Sequence, residues 1–121
     1  MLERLTVEGP AEPRSMRRLI RAARVVTLPS RSEQLPMVLT EAIALGRPFV
    51  ATHVGGTSDL AVWRHMLVKV GNPEALATAL ARYLTDPAVA AADASRAQAL
   101  CAGTRSAEVI SARYREIYES C

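Results

Sequence analysis

Two carboxylates, Glu33 and Glu41, bracket the one stretch of this sequence where residue types and spacing could do chemistry. Between them stands Pro36, followed by the apolar run Met37-Val38-Leu39, which Thr40 and Glu41 interrupt and Ala42-Ile43-Ala44-Leu45 resumes. Proline suits the first position of a helix, because the N–H it lacks would find no intrahelical acceptor there. The N–H groups of Met37, Val38 and Leu39 should then point out of the helix start, where free donors and the helix dipole favour a phosphate. A helix apolar nearly all round is normally buried, which places Glu41 in or beside the core. An ionised carboxylate there is costly unless something hydrogen-bonds to it. Protein donors would make it a structural group; a ligand's hydroxyl pair, such as a ribose diol, would make it a binding group. Glu33 lies in the loop just ahead, within reach of whatever the phosphate carries.

The elements around this junction are legible from pattern. Val25-Val26-Thr27-Leu28 predicts a buried strand stopped by Pro29, and the helix from Pro36 should run to Leu45 with Gly46 as its left-handed cap. Pro48-Phe49-Val50-Ala51 predicts a second buried strand. Gly55-Gly56 marks a tight turn or a close backbone approach to a ligand. Thr57 or Ser58 should cap a short helix through Trp63, and Met66 to Val70 predicts another strand. Upstream, Leu5-Thr6-Val7 is a short β-like run before the Gly9-Pro10 turn. Pro13 then opens a helix to about Arg24 with Met16, Leu19, Ile20 and Ala23 on one face.

Strands alternating with helices indicate parallel βαβ units, hence an α/β, Rossmann-like doubly wound sheet. Such sheets bind ligands beyond the carboxyl ends of their strands, where the Pro29–Pro36 loop falls. Beyond residue 71 the chain should be helical. Asn72-Pro73 and Asp86-Pro87 are both a cap followed by proline, the second opening an alanine-rich helix to about Ala102 that Gly103 breaks. A last helix, Ser106 to Tyr118, offers Val109, Ile110, Tyr114, Ile117 and Tyr118 for packing. The expectation is one domain over residues 1–121, an α/β core at 1–71 with a helical segment at 72–121.

Composition narrows the function classes. Half of the 121 residues are hydrophobic, yet no run approaches the roughly 20 apolar residues that span a bilayer. Met1-Leu2-Glu3-Arg4 lacks the charged-then-apolar layout of a signal peptide. Cys101 and Cys121 show neither metal spacing nor a disulfide framework, so a reducing cytoplasm fits. The net charge of +3 comes from arginine, with Lys69 the only lysine. Arg14, Arg17, Arg18, Arg21 and Arg24 cluster at helical spacing, and without a nucleic-acid module they read as a solvated face. Ser30 and Ser32 lack the surroundings of a nucleophile. His53 and His65 lack ligand spacing, and Trp63 and Met66 are assigned to the core.

The segment from Ala23 to Gly56 combines Pro29-Ser30, Glu33 and Glu41 eight apart, Leu45-Gly46-Arg47-Pro48 and Gly55-Gly56. At these spacings it resembles the C-terminal, donor-binding domain of group 1 (family 4) glycosyltransferases, retaining enzymes of GT-B architecture that use nucleotide-activated sugars. The likeness extends to Gly71-Asn72-Pro73-Glu74-Ala75-Leu76-Ala77 and Leu84-Thr85-Asp86-Pro87. It implies that Glu41 holds the ribose hydroxyls of a UDP-, GDP- or ADP-sugar. It implies that Glu33 is the catalytic carboxylate, contacting the transferred sugar and stabilising the positive charge that develops there. The N–H groups of Met37 and Val38 would take the diphosphate, and Ser32, Gln34, Leu35, Gly55 and Gly56 complete the implied donor-binding set. No metal or other cofactor is implied. The acceptor, a glycan or lipid-linked sugar, is not named by these residues. The location implied is the cytoplasm, or the inner membrane through a full enzyme.

Several departures from the family pattern stand out. Gln34 replaces the usual glycine after Glu33, at a cost of roughly 1 kcal/mol if that position needs a positive φ. Asp59 stands where a longer glutamate is often found. Two family strands, with the Arg and Lys that neutralise the diphosphate, have no counterpart here. In the order 3-2-1-4-5-6 they would lie between the run at 5–7 and the strand at 25–28, so their lack should leave a new pairing or exposed edges. The alternative to donor binding is therefore a non-catalytic subunit that docks on a separate chain, or a remnant.

Overall fold

The computed structural model describes residues 4–120. Three parallel strands, β1 (Val26–Leu28), β2 (Phe49–Thr52) and β3 (Leu67–Val68), form a sheet in that order. Val26 lies beside Phe49 and Leu28 beside Ala51, while Thr52 lies beside Val68. All four residues of the central β2 are buried, which is why its sequence is apolar without alternation.

Each crossover carries a helix. The first, α2 (Met37–Ala44), buries Leu39, Ala42 and Ile43 and packs against β1 and β2. It ends in a Schellman motif: Gly46 takes φ +68°, its N–H donates to the Ile43 carbonyl (3.0 Å), and the Arg47 N–H donates to Ala42 (2.8 Å). The short α3 (Thr57–Leu60) and one 3₁₀ turn (Arg64–Met66) lead into β3. Ahead of the sheet, α1 (Pro13–Ala22) packs on α2 and buries Ile20.

The helical remainder closes the core. Asn72 caps α4 (Pro73–Thr85) through the Ala75 N–H at 3.0 Å, and Asp86 caps α5 (Pro87–Arg105) through Val89 at 3.1 Å. α4 packs on β2 and β3, and α5 spans α2 and α4, with Gln98 donating to the Ala44 carbonyl at 2.9 Å. One core joins Leu39, Ile43, Phe49, Val50, Met66 and Tyr83. α6 (Ala107–Glu119), capped by Ser106, follows.

Several expectations fail for identifiable reasons. Leu5-Thr6-Val7 is no strand: Leu5 and Val7 are 63% and 86% exposed, and no strand among the described residues offers them a ladder. Three residues cannot hold an extended conformation without one. α1 stops at Ala22, short of Arg24, and Leu19 lies on its exposed side. Gly103 does not end α5, since an interior glycine costs only about 1 kcal/mol and the turn comes where Ser106 can cap the next helix. Thr57 caps nothing; Gly56 holds that position, and the helix ends at Leu60, short of Trp63. Trp63 is not core but surface, stacked on His65 and covered by the Arg96 guanidinium 5.8 Å from its ring. Ile110, Tyr114, Ile117 and Tyr118 on α6 are exposed and Val109 is half-buried, so most of the expected packing stripe faces outward. Of the clustered arginines, Arg14, Arg17, Arg18 and Arg21 on α1 are exposed, as a solvated face should be.

Candidate functional site

The carboxyl end of the sheet is braced by two threonines. Thr52, buried at the end of β2, sends its hydroxyl across to the Ser30 carbonyl, with the Leu28 carbonyl 3.4 Å away. This ties the loop after β1 to the neighbouring strand. Ser30 in turn donates its hydroxyl to Glu33 Oε1 at 2.7 Å, so the half-buried Glu33 is fixed rather than adrift in a loop. Thr57 turns its hydroxyl inward, 2.8 and 2.9 Å from the carbonyls of Thr52 and Val54, and accepts from the Val54 N–H at 3.0 Å.

Gly55 and Gly56 let these two loops close on each other. Gly55 takes φ +50°, and a Cβ added to it would lie 1.6 Å from the Glu33 carbonyl oxygen. A Cβ on Gly56 would lie 2.2 Å from the Gln34 oxygen, to which the Gly56 N–H donates at 2.9 Å. The pair makes a tight turn, and the backbone it approaches is that of the Glu33 loop itself. No described non-glycine residue has a positive φ, so Gln34 sits without the strain its identity suggested.

At the helix start, Pro36 is the N-cap, one position earlier than the first helical residue predicted for it. Leu39 is not a free donor, because its N–H bonds the Pro36 carbonyl at 3.1 Å. The N–H groups of Met37 and Val38 meet no acceptor among the described residues. Ser32, Gln34, Leu35 and Met37 are exposed, and Val38 is half-buried.

Glu41 is half-buried beside the core, and among the described residues its carboxylate makes no hydrogen bond and no ion pair. It lines a cavity of about 310 Å³ with Ala11, Pro13, Met16 and Arg17 of the α1 region and Val38 of α2. The structural reading of Glu41 required protein donors, and none is present among the described residues. Glu33 does not line this cavity, so the structure does not bring the two carboxylates into one pocket.

A second cleft, about 220 Å³, lies across the ends of the three strands and is lined by Arg31, Thr52, Lys69 and Asn72 among others. Sequence reasoning passed over Arg31 and Lys69 as site residues. Their signal was position: each falls within three residues of the carboxyl end of a strand. It also missed Thr52, a hydroxyl at the end of a strand otherwise apolar. Among the described residues no cluster of three His, Cys, Asp or Glu could hold a metal.

Comparison with known proteins supplies the family. A model described as group 1 glycosyl transferases matches residues 1–86. The Bacillus subtilis (strain 168) protein provisionally named teichuronic acid biosynthesis glycosyltransferase TuaC is 41% identical over 78 residues, 64% of this chain and 20% of that protein. D-inositol 3-phosphate glycosyltransferase of Xylanimonas cellulosilytica is 37% identical over 107 residues, 87% of this chain and 24% of that one. Among solved structures, sucrose-phosphate synthase from Thermosynechococcus elongatus superposes with a TM-score of 0.86 at 28% identity, covering 98% of this chain and 30% of that one. The chain thus spans between a fifth and a third of the length of these relatives, and its α/β fold is that of part of a GT-B glycosyltransferase. With this match over most of its length, the chain belongs to the group 1 glycosyltransferase family.

Proposed function

We propose that this chain is the donor-binding portion of a retaining glycosyltransferase that moves a sugar from a nucleotide sugar to an acceptor. The observation that carries this reading is Glu41, a half-buried carboxylate that lines a cavity of about 310 Å³ and, like the two N–H groups at the start of its helix, meets no partner among the described residues. A ribose diol supplies two hydroxyl donors to such a carboxylate, replacing the water it has lost. The diphosphate then reaches the N–H groups of Met37 and Val38 at the positive end of α2. Arg31 and Lys69 add positive charge at the same end of the sheet. No metal is needed for that neutralisation.

Glu33, held by Ser30, contacts hydroxyls of the transferred sugar and opposes the charge that grows as its bond to the phosphate breaks. The acceptor oxygen enters on the face the phosphate leaves, and its proton passes to the departing phosphate oxygen. Ser32, Gln34 and Leu35 shape the exposed rim, and Gly55 and Gly56 hold that rim in place. This reading puts the chain in the cytoplasm or against the inner membrane; no described helix is long and apolar enough to cross one.

Isothermal titration with UDP, GDP and ADP tests it. One of the three should bind at millimolar concentration or below, and Glu41→Ala should weaken it at least about ten-fold, the loss expected when a charged hydrogen-bond partner goes. Absence of binding by all three would sink the reading.

A second reading is favoured by α6, whose Ile110, Tyr114 and Tyr118 lie exposed on one helix. In it, a separate chain supplies the acceptor side and covers these residues. Light scattering after size-exclusion chromatography of a well-behaved monomer, with no adhesion, would count against a required partner.

A further inference from the structure

A cavity of about 240 Å³ at the amino end of the sheet plays no part in donor binding. Arg24 stands two residues before β1 and Arg47 two residues before β2. The register that sets Val26 beside Phe49 therefore brings these two arginines together, and both line the cavity. No carboxylate lines it, and the only ion pair among the described residues, His65–Asp93, lies elsewhere. Arg24 donates one Nη2 N–H to the Leu84 carbonyl at 2.9 Å. The Arg47 side chain makes no hydrogen bond among the described residues, and its Nε is buried without an acceptor.

Two like charges on one wall repel each other, and the Arg47 Nε, which has lost water without gaining an acceptor, is a standing cost to the fold. An oxyanion relieves both, because planar guanidinium donors match the paired oxygens of phosphate and carboxylate. The rest of the wall is apolar but for the Tyr83 phenol, whose hydroxyl already donates to Asp93, with Pro48, Pro87 and Ala90 prominent. We propose that this cavity is a second binding site, independent of the donor site, for the phosphate or carboxylate of a small molecule with an apolar body, held by Arg24 and Arg47.

The test is amide NMR of the ¹⁵N-labelled 121-residue chain titrated with phenyl phosphate, benzoate and inorganic phosphate at constant ionic strength. Saturable shifts at Gly46, Arg47, Ala90 and Ala91 are expected with phenyl phosphate or benzoate, and which of the two binds tighter identifies the oxyanion. Inorganic phosphate, lacking the apolar body, should bind more weakly. Arg24→Gln and Arg47→Gln should each weaken binding at least about ten-fold. If Arg47→Gln fails to fold, the exposed Arg24→Gln still decides the matter. Shifts that survive the substitutions, match those given by sodium chloride, or stay confined to Met37 and Val38 would overturn the proposal. The last outcome would leave the donor-site reading intact.

Discussion

Asp93 and Glu41 are both carboxylates on helices that pack on the core, and the protein treats them in opposite ways. Asp93, 8% exposed on α5, accepts from the Tyr83 hydroxyl of α4 at 2.8 Å and from His65 Nε2, in the turn before β3, at 2.6 Å. Tyr83 meets the His65 ring edge-on, and Trp63 stacks on its other side. Three separate elements are clasped through one oxygen, Asp93 Oδ2. Glu41 has no donor among the described residues and lines a cavity. A carboxylate whose hydrogen bonds come from the protein ties elements together, and the proposed role of Glu41 as a ligand group rests on the contrast.

That division depends on the two loops at the carboxyl end staying closed on each other, so the largest effect should come from opening them. Gly55→Ala places a Cβ 1.6 Å from the Glu33 carbonyl oxygen at a φ of +50°. Backbone is the obstacle, so no side chain can swing aside. The expected loss is at least about 3 kcal/mol, or a displaced Glu33 loop, measured by urea unfolding. A variant as stable as the parent, with nucleotide binding unchanged, would mean that the loops are not braced as described.

The carboxylates themselves come next. Asp93→Ala should cost about 2–4 kcal/mol, because it strands the buried Tyr83 hydroxyl and removes the partner of the half-buried His65 ring. It should leave nucleotide affinity alone. Glu41→Ala should do the reverse, changing stability by no more than about 0.5 kcal/mol while weakening the nucleotide. Equal destabilisation by both would erase the contrast and make Glu41 a structural group after all.

The carboxyl end of the sheet was more legible in the sequence than the clasp. Glu33, Pro36, Glu41 and the paired glycines are close in the chain, and local rules of helix starts and turns place them. The proline-led helices after Asn72 and Asp86 were legible for the same reason. The clasp joins residues 65, 83 and 93, and only packing brings these together. His65 alone looked like an ordinary helix-end histidine, and an aspartate within an alanine-rich run carried no address for its partners. Leu5-Thr6-Val7 shows the complementary failure. Its residue types favour a strand, but a strand exists only where another offers it hydrogen bonds. The outward stripe of α6 was likewise read as packing, because amphipathic spacing says that a face is apolar and not what covers it.

The smallest effect is the most diagnostic of how the clasp works. Burial first, and then the hydrogen bond to the Asp93 carboxylate, hold the Tyr83 phenol well above its ordinary pKa of 10.0. In the unfolded chain that proton leaves near pH 10.0, while the folded chain keeps it. Above that pH the unfolded state binds fewer protons than the folded one, so stability falls as pH rises. Below it the contribution is fully present. Tyr83→Phe removes the titrating group at a cost of about 1 kcal/mol at neutral pH, from the lost hydrogen bond. It should therefore be weaker than the parent at neutral pH yet lose less stability on going to strong alkali, and the two curves of urea midpoint against pH should converge. Parallel curves would mean that Tyr83 titrates alike in both states. In that case the phenol is not sealed against Asp93, and the clasp would be as open to solvent as the cavity beside Glu41.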